Sequence, residues 1–146
     1  MKHSLFVLIL CLFSLSAEAQ TTIRATVKAG EQADEWIVSV ALDNDQEYVA
    51  MQVDVELPDS VTGTKVRKSE RMQSQTVLSN RMRNGRLRIL AYNMTSKPIL
   101  GNAGVLYTIL VKAPEWPADR ICHLNNIHLT RPGSKDVALP DVEFQL

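Results

Sequence analysis

The cleanest alternation of apolar and polar residues in the chain runs from Val49 to Leu57. Val49, Met51, Val53, Val55 and Leu57 share one parity, and Ala50, Gln52, Asp54 and Glu56 the other. A period of two is that of a strand with one buried and one wet face. Pro58-Asp59 ends it, because proline cannot donate to a ladder. The same period predicts a strand where Trp36, Val38, Val40 and Leu42 alternate with Ile37, Ser39 and Ala41. It predicts another where Leu87, Ile89 and Ala91 alternate with Arg88, Leu90 and Tyr92, and a third through Val105, Tyr107, Ile109 and Val111. Thr22 to Val27, Ile121 to Thr130 and Val137 to Leu146 complete the set. Turn residues punctuate these runs: Gly30, Asp43-Asn44-Asp45-Gln46, Pro114 to Pro117, and Pro132-Gly133. Asn84-Gly85 is the strongest short-range hairpin signal, joining Arg81–Arg83 to Leu87–Tyr92. Residues 59–80 read as loop with short strands, one near Thr76 to Leu78, and 93–104 as loop. No helical stripe of useful length interrupts the pattern, so the chain is all-β, a sandwich or barrel of eight or nine strands.

The N-terminus breaks from this pattern. Met1-Lys2-His3 is followed by an apolar run from Leu5 to Leu15 and then by Ser16-Ala17-Glu18-Ala19-Gln20. A short basic start, an apolar run and an Ala-x-Ala ending are the parts of a secretory signal peptide. The run is too short to span a bilayer, which takes ~20 residues. Residues 1–19 are therefore expected to be removed and 20–146 to form one domain, delivered to the periplasm, the cell surface or the medium. Cys11 leaves with the leader, so Cys122 has no partner for an intrachain disulfide, and it is expected to be buried.

The 16 basic and 16 acidic residues cancel, but unevenly. Lys65, Arg67, Lys68, Arg71, Arg81, Arg83, Arg86 and Arg88 lie within one segment against the single acid Glu70. Such asymmetry marks either a solvated basic strand pair, the preferred reading, or an anion-binding surface. Asp43, Asp45 and Glu47 could offer oxygens to calcium; a solvated turn is preferred, because calcium wants six to eight oxygens. No nucleophile elbow, zinc-histidine pair or phosphate-cradling loop is present, and His123 and His128 stand without a catalytic partner in sequence, so no enzyme, cofactor or nucleic-acid partner is expected. Trp36 falls on the buried parity, while Trp116 sits between two prolines in a loop and could be exposed. Asp59-Ser60-Val61 resembles a short bacterial O-glycosylation consensus.

Several stretches together resemble cohesin-like modules of secreted bacterial proteins. They are Ala50-Met51-Gln52-Val53-Asp54-Val55-Glu56-Leu57-Pro58, Leu87 to Asn93, Gly101-Asn102-Ala103-Gly104-Val105-Leu106, Asn126-Ile127-His128-Leu129 and Leu139-Pro140-Asp141-Val142. The resemblance spans roughly 22–146 and departs at Asn93 and Met94, where such modules carry Ser or Thr. It implies a cohesin-like jelly-roll β-sandwich, without chemistry of its own, that binds through one sheet face.

The expected function is recognition of another secreted or surface protein. Its candidate residues are the outward positions Tyr48, Gln52, Asp54, Arg88, Leu90 and Tyr92, with His128 from the closing strand. The alternative is a module for a polysaccharide, anionic if the basic segment carries it.

Overall fold

In the computed structural model residues 20–146 are described; the expected leader over 1–19, with Cys11, lies outside them. The strands are β1 (Thr22–Ala29), β2 (Glu35–Asp43), β3 (Ala50–Val55), β4 (Gly63–Lys68), β5 (Thr76–Arg81), β6 (Leu87–Tyr92), β7 (Val105–Lys112), β8 (Cys122–Arg131), β9 (Lys135–Leu139) and β10 (Val142–Phe144). One 3-10 turn, Glu70–Met72, is the only helical element among the described residues, and no helix there could cross a membrane.

The strands form two antiparallel sheets. One runs β1-β2-β7-β4; the other runs β10-β8-β3-β6-β5, with β9 also pairing β8. Because β10 and β9 follow one another along β8, they share one edge of the second sheet, and β5 forms the other. The chain changes sheet between β2 and β3, β3 and β4, β4 and β5, β6 and β7, and β7 and β8. This sandwich is the all-β architecture expected, with ten strands where alternation gives eight or nine.

The differences have local causes. β4 reads Gly-Thr-Lys-Val-Arg-Lys, an edge strand whose single apolar residue, Val66, packs against the core. The hairpin at Asn84-Gly85 is present, but its first strand is β5 rather than 81–83. Gly85 donates its N–H to Met82 O (2.9 Å) at φ +84°, a turn closed by a left-handed glycine rather than a two-residue loop. The final expected strand is split by Pro140-Asp141 into β9 and β10.

Inward residues of both sheets fill one core: Val38, Val40 and Leu42 from β2, Met51, Val53 and Val55 from β3, Leu87 and Ile89 from β6, Leu106, Ile109 and Val111 from β7 and Leu124, Ile127 and Leu129 from β8. Cys122 is fully buried, and burial pushes its thiol pKa up. Trp116, whose loop position left it free to be exposed, is buried, its ring centroid 6.2 Å from that of the half-buried Trp36. The two rings close the end of the sandwich beneath the β7–β8 crossing.

At the other end Arg71 joins three crossings. Its Nη1 donates to Leu42 O (2.7 Å) and Gly104 O (2.8 Å), its Nε to Leu100 O (2.6 Å), and its Nη2 to Asn44 Oδ1 (2.7 Å). Leu42 lies at the end of β2 and Asn44 in the β2–β3 crossing that follows, Arg71 itself belongs to β4–β5, and Leu100 and Gly104 to β6–β7. A planar guanidinium with donors on three sides serves these acceptors together, and at Gly104 O it adds to the Leu42 N–H (3.0 Å). This member of the basic segment is part of the frame, not of a surface.

Candidate functional site

The outer face of the β10-β8-β3-β6-β5 sheet carries most of the candidate residues, and strand register places them. Gln52 on β3 pairs with Leu90 on β6 and with His128 on β8, and Leu90 pairs in turn with Leu78 on β5. One row thus runs Leu78, Leu90, Gln52, His128 across four strands. In the next row Tyr92 stands beside Thr76, and in the row on the other side Asp54 stands beside Arg88. Gln52, Leu90, Tyr92, His128, Ala50 and Thr130 line a shallow depression of ≈ 360 Å³.

Leu78 and Leu90 are 51% and 38% exposed and adjacent. Two branched aliphatic side chains side by side in water form apolar surface that folding does not require. Leu78 is not evident from sequence, because β5 (Thr-Val-Leu-Ser-Asn-Arg) has too little alternation to assign parity. Its only sequence signal is the six-residue offset from the Asn84-Gly85 hairpin.

Two candidate positions are corrected. Tyr48 is buried, 2% exposed, and belongs to the core cluster. It precedes β3, so the strand's parity does not extend to it, and its hydroxyl is 2.8 Å from Thr21 Oγ1. Asp54 has the outward parity expected but no exposure at all. Arg88 covers it side-on, with Nε 2.7 Å from Oδ1 and Nη2 2.9 Å from Oδ2, and Asn126 Nδ2 donates to Oδ2 at 2.8 Å. Asn126 reaches it because β8 is irregular there: the β3–β8 register shifts between Gln52 and Asp54, and Asn126 sits at φ +46°, a conformation that asparagine tolerates. The pair is bidentate, neutral as a unit, and forms the floor at one end of the face.

The Arg88 hydrogen bonds hold the Asp54 carboxyl below its ordinary pKa against the opposing effect of burial, and Asn126 adds to the lowering. A carboxyl depressed in the folded state stabilises it above the unfolded-state pKa. That gain is lost as pH falls through the ordinary Asp range, from roughly pH 5 to below 3. Urea midpoints at pH 6 and pH 3 should therefore fall further for the wild-type chain than for Asp54→Asn. Equal falls would show that Asp54 does not titrate with folding.

On β8 His128 Nδ1, in the row of Gln52, lies 3.0 Å from Asp136 Oδ2, and His123 Nδ1, beyond the Asp54 row, lies 3.0 Å from Glu56 Oε2. His123 faces outward while its neighbour Cys122 points into the core, so histidine and thiol lie on opposite sides of the sheet. Asp43 pairs with Arg24 (2.8 Å) and Asp45 accepts from Thr21 (2.6 Å); among the described residues no group of three or more His, Cys, Asp or Glu converges as a metal would need.

The basic segment is dispersed by folding. Lys65 and Arg67 go to β4 in the other sheet, Lys68 Nζ donates to Gln75 O (2.9 Å), Arg71 clamps the crossings and Arg88 neutralises Asp54. Arg81, Arg83 and Arg86 remain at the β5–β6 hairpin, where Arg81 Nε donates to Gly85 O (2.8 Å).

No protein-family model matches the chain, and no curated protein matches it. Solved structures do. A non-cellulosomal cohesin from the archaeon Archaeoglobus fulgidus superposes with a TM-score of 0.66 at 14% identity, over 87% of this chain and 91% of that one. A cohesin module from a family 33 glycoside hydrolase of Clostridium perfringens gives 0.64 at 14%, over 86% and 93%. A type I cohesin–dockerin complex from Clostridium thermocellum gives 0.58 at 14%, over 85% and 98%. The fold is that of a cohesin module.

Proposed function

We propose that the chain is an exported, non-catalytic recognition module that holds a partner protein on the outer face of its β10-β8-β3-β6-β5 sheet. The observation that carries this reading is the apolar pair Leu78–Leu90 beside Tyr92, Gln52 and His128, at a shallow depression next to which the charges of Asp54 and Arg88 already neutralise one another. A partner docking there desolvates aliphatic and aromatic surface without stranding an unpaired charge, which is the composition of an interface centre. The Clostridium thermocellum neighbour is solved with a dockerin, which supports a protein, rather than a small molecule, as the occupant. The Ala17-x-Ala19 ending supports export.

The test is a double variant, Leu90→Glu with Tyr92→Ala. Both side chains stand outside the core, so the melting temperature should stay nearly unchanged. Central anchors contribute ~2 kcal/mol or more each, so with both removed affinity for a protein captured from the native secretome should fall about 1,000-fold. The hairpin variant Arg81→Gln, Arg83→Gln, Arg86→Gln should keep it. Full retention by the double variant would refute the reading.

A further inference from the structure

The opposite face of the molecule, the outer surface of the β1-β2-β7-β4 sheet, is cationic in a way the linear sequence hides. Its outward positions carry Arg24 and Lys28 from β1, Lys65 and Arg67 from β4 and Lys112 from β7, against Glu35 and Asp43. Asp43 is taken by Arg24 at 2.8 Å, and Glu35 leans over the turn at Gly30, where a side chain would collide with it at 2.6 Å. Lys28, Lys65, Arg67 and Lys112 make no ion pair among the described residues.

The arrangement is ordered by register. One row reads Lys65, Leu110, Ile37, Lys28 across the four strands, and the next reads Arg67, Thr108, Ser39, Thr26. Neighbouring strands lie ~4.8 Å apart, so two lysines bracket a half-buried aliphatic floor ~14 Å wide. A line of three hydroxyls runs beside it, headed by an arginine. At the β4 end a cleft of ≈ 360 Å³ gathers Lys65, Arg67, Lys112, Gln32 and Glu35 around Gly63.

We infer that this face binds an acidic polysaccharide, a glycan bearing carboxylate or sulfate groups. Four unpaired cations supply the charge complement, the row of Thr and Ser hydroxyls suits a ligand rich in hydroxyls, and Leu110 and Ile37 offer aliphatic surface to the C–H faces of sugar rings. The face has no aromatic side chain on which nucleic-acid bases could stack. It also lacks a protruding apolar anchor for a bilayer, since Ile37 and Leu110 lie half-buried. This site is separate from the protein-binding face, so either can fail alone.

The experiment measures retention of the purified protein on immobilised polygalacturonate and heparin, with neutral dextran, anionic phosphatidylglycerol vesicles and single-stranded DNA alongside. The wild-type protein should bind at least one acidic glycan and not dextran, with affinity falling as salt rises; polygalacturonate or heparin tells carboxylate from sulfate. Lys65→Gln, Arg67→Gln, Lys112→Gln should lose at least about tenfold in affinity and show a shallower salt dependence. The charge-keeping Lys65→Arg, Lys112→Arg variant should bind with the wild-type salt dependence, which separates loss of charge from loss of fold. Leu90→Glu with Tyr92→Ala should leave glycan binding untouched. The inference is overturned if neither acidic glycan is retained, if the hairpin variant Arg81→Gln, Arg83→Gln, Arg86→Gln loses as much as the β4–β7 variant, or if vesicles or DNA bind more tightly.

Discussion

Val53→Asp should abolish folding. Val53 has no exposed surface, lies in the central β3 strand between β6 and β8, and faces the other sheet. A carboxylate there would be surrounded by aliphatic side chains, with no donor in the position that Arg88 holds for Asp54. Burying an unpaired charge costs at least several kcal/mol, a large part of the ~5–15 kcal/mol that holds a domain of this size together. Met51→Asp, at 3% exposure on the same parity, should behave alike. Gln52→Asp, one residue away on the outer face, should fold. Far-UV circular dichroism and urea unfolding of the three variants separate the cases, and a cooperative, wild-type-like transition in Val53→Asp would overturn the two-sheet packing.

Arg71→Met is expected to be the most damaging change outside the core. Methionine preserves the apolar stem but takes away the donors that reach the carbonyls of Leu42 and Leu100 and the Asn44 Oδ1 at 2.6–2.7 Å, while Gly104 O keeps the Leu42 N–H. Each buried polar group left unpaired costs about 1–3 kcal/mol. A loss of about 3 kcal/mol is expected, roughly 10 °C in melting temperature for a domain of this length. Arg71→Lys should recover little, because one ammonium cannot meet acceptors on three sides. A melting temperature within about 2 °C of wild type for Arg71→Met would show that water replaces the guanidinium.

Legibility in the sequence follows burial. β3 and β6, and β7 from Tyr107 onward, set an inward row against an outward one, so their parity is readable; at the start of β7 the register shift opposite Val40 and Ala41 exposes Val105, expected inside, and buries Leu106 instead. β4 and β5 are edge strands, where neighbours cover little of either face; composition no longer alternates, and β4 and Leu78 are missed for that reason. Parity also says which way a side chain points, not how deep it lies. Asp54 points outward, yet Arg88 and Asn126 cover it, and Asn126 does so from a register shift that no period of two can signal. The cationic face is hidden differently: Lys28 and Lys112 stand far from Lys65 and Arg67 in sequence and meet only through the β1-β2-β7-β4 order.

That order also sets how the molecule resists self-association. An unpaired strand edge is a template for another chain unless charge or interruption blunts it. β1 and β4 carry Arg24 and Lys28, and Lys65 and Arg67, along their lengths, and the β9–β10 edge is cut by Pro140-Asp141. β5 has neither defence over its first five residues, with Leu78 open to solvent beside Leu90. Aggregation of the folded protein at high concentration would therefore begin at β5. A partner covering the neighbouring face would suppress it, so that keeping the module soluble and keeping it bound would be served by the same contact.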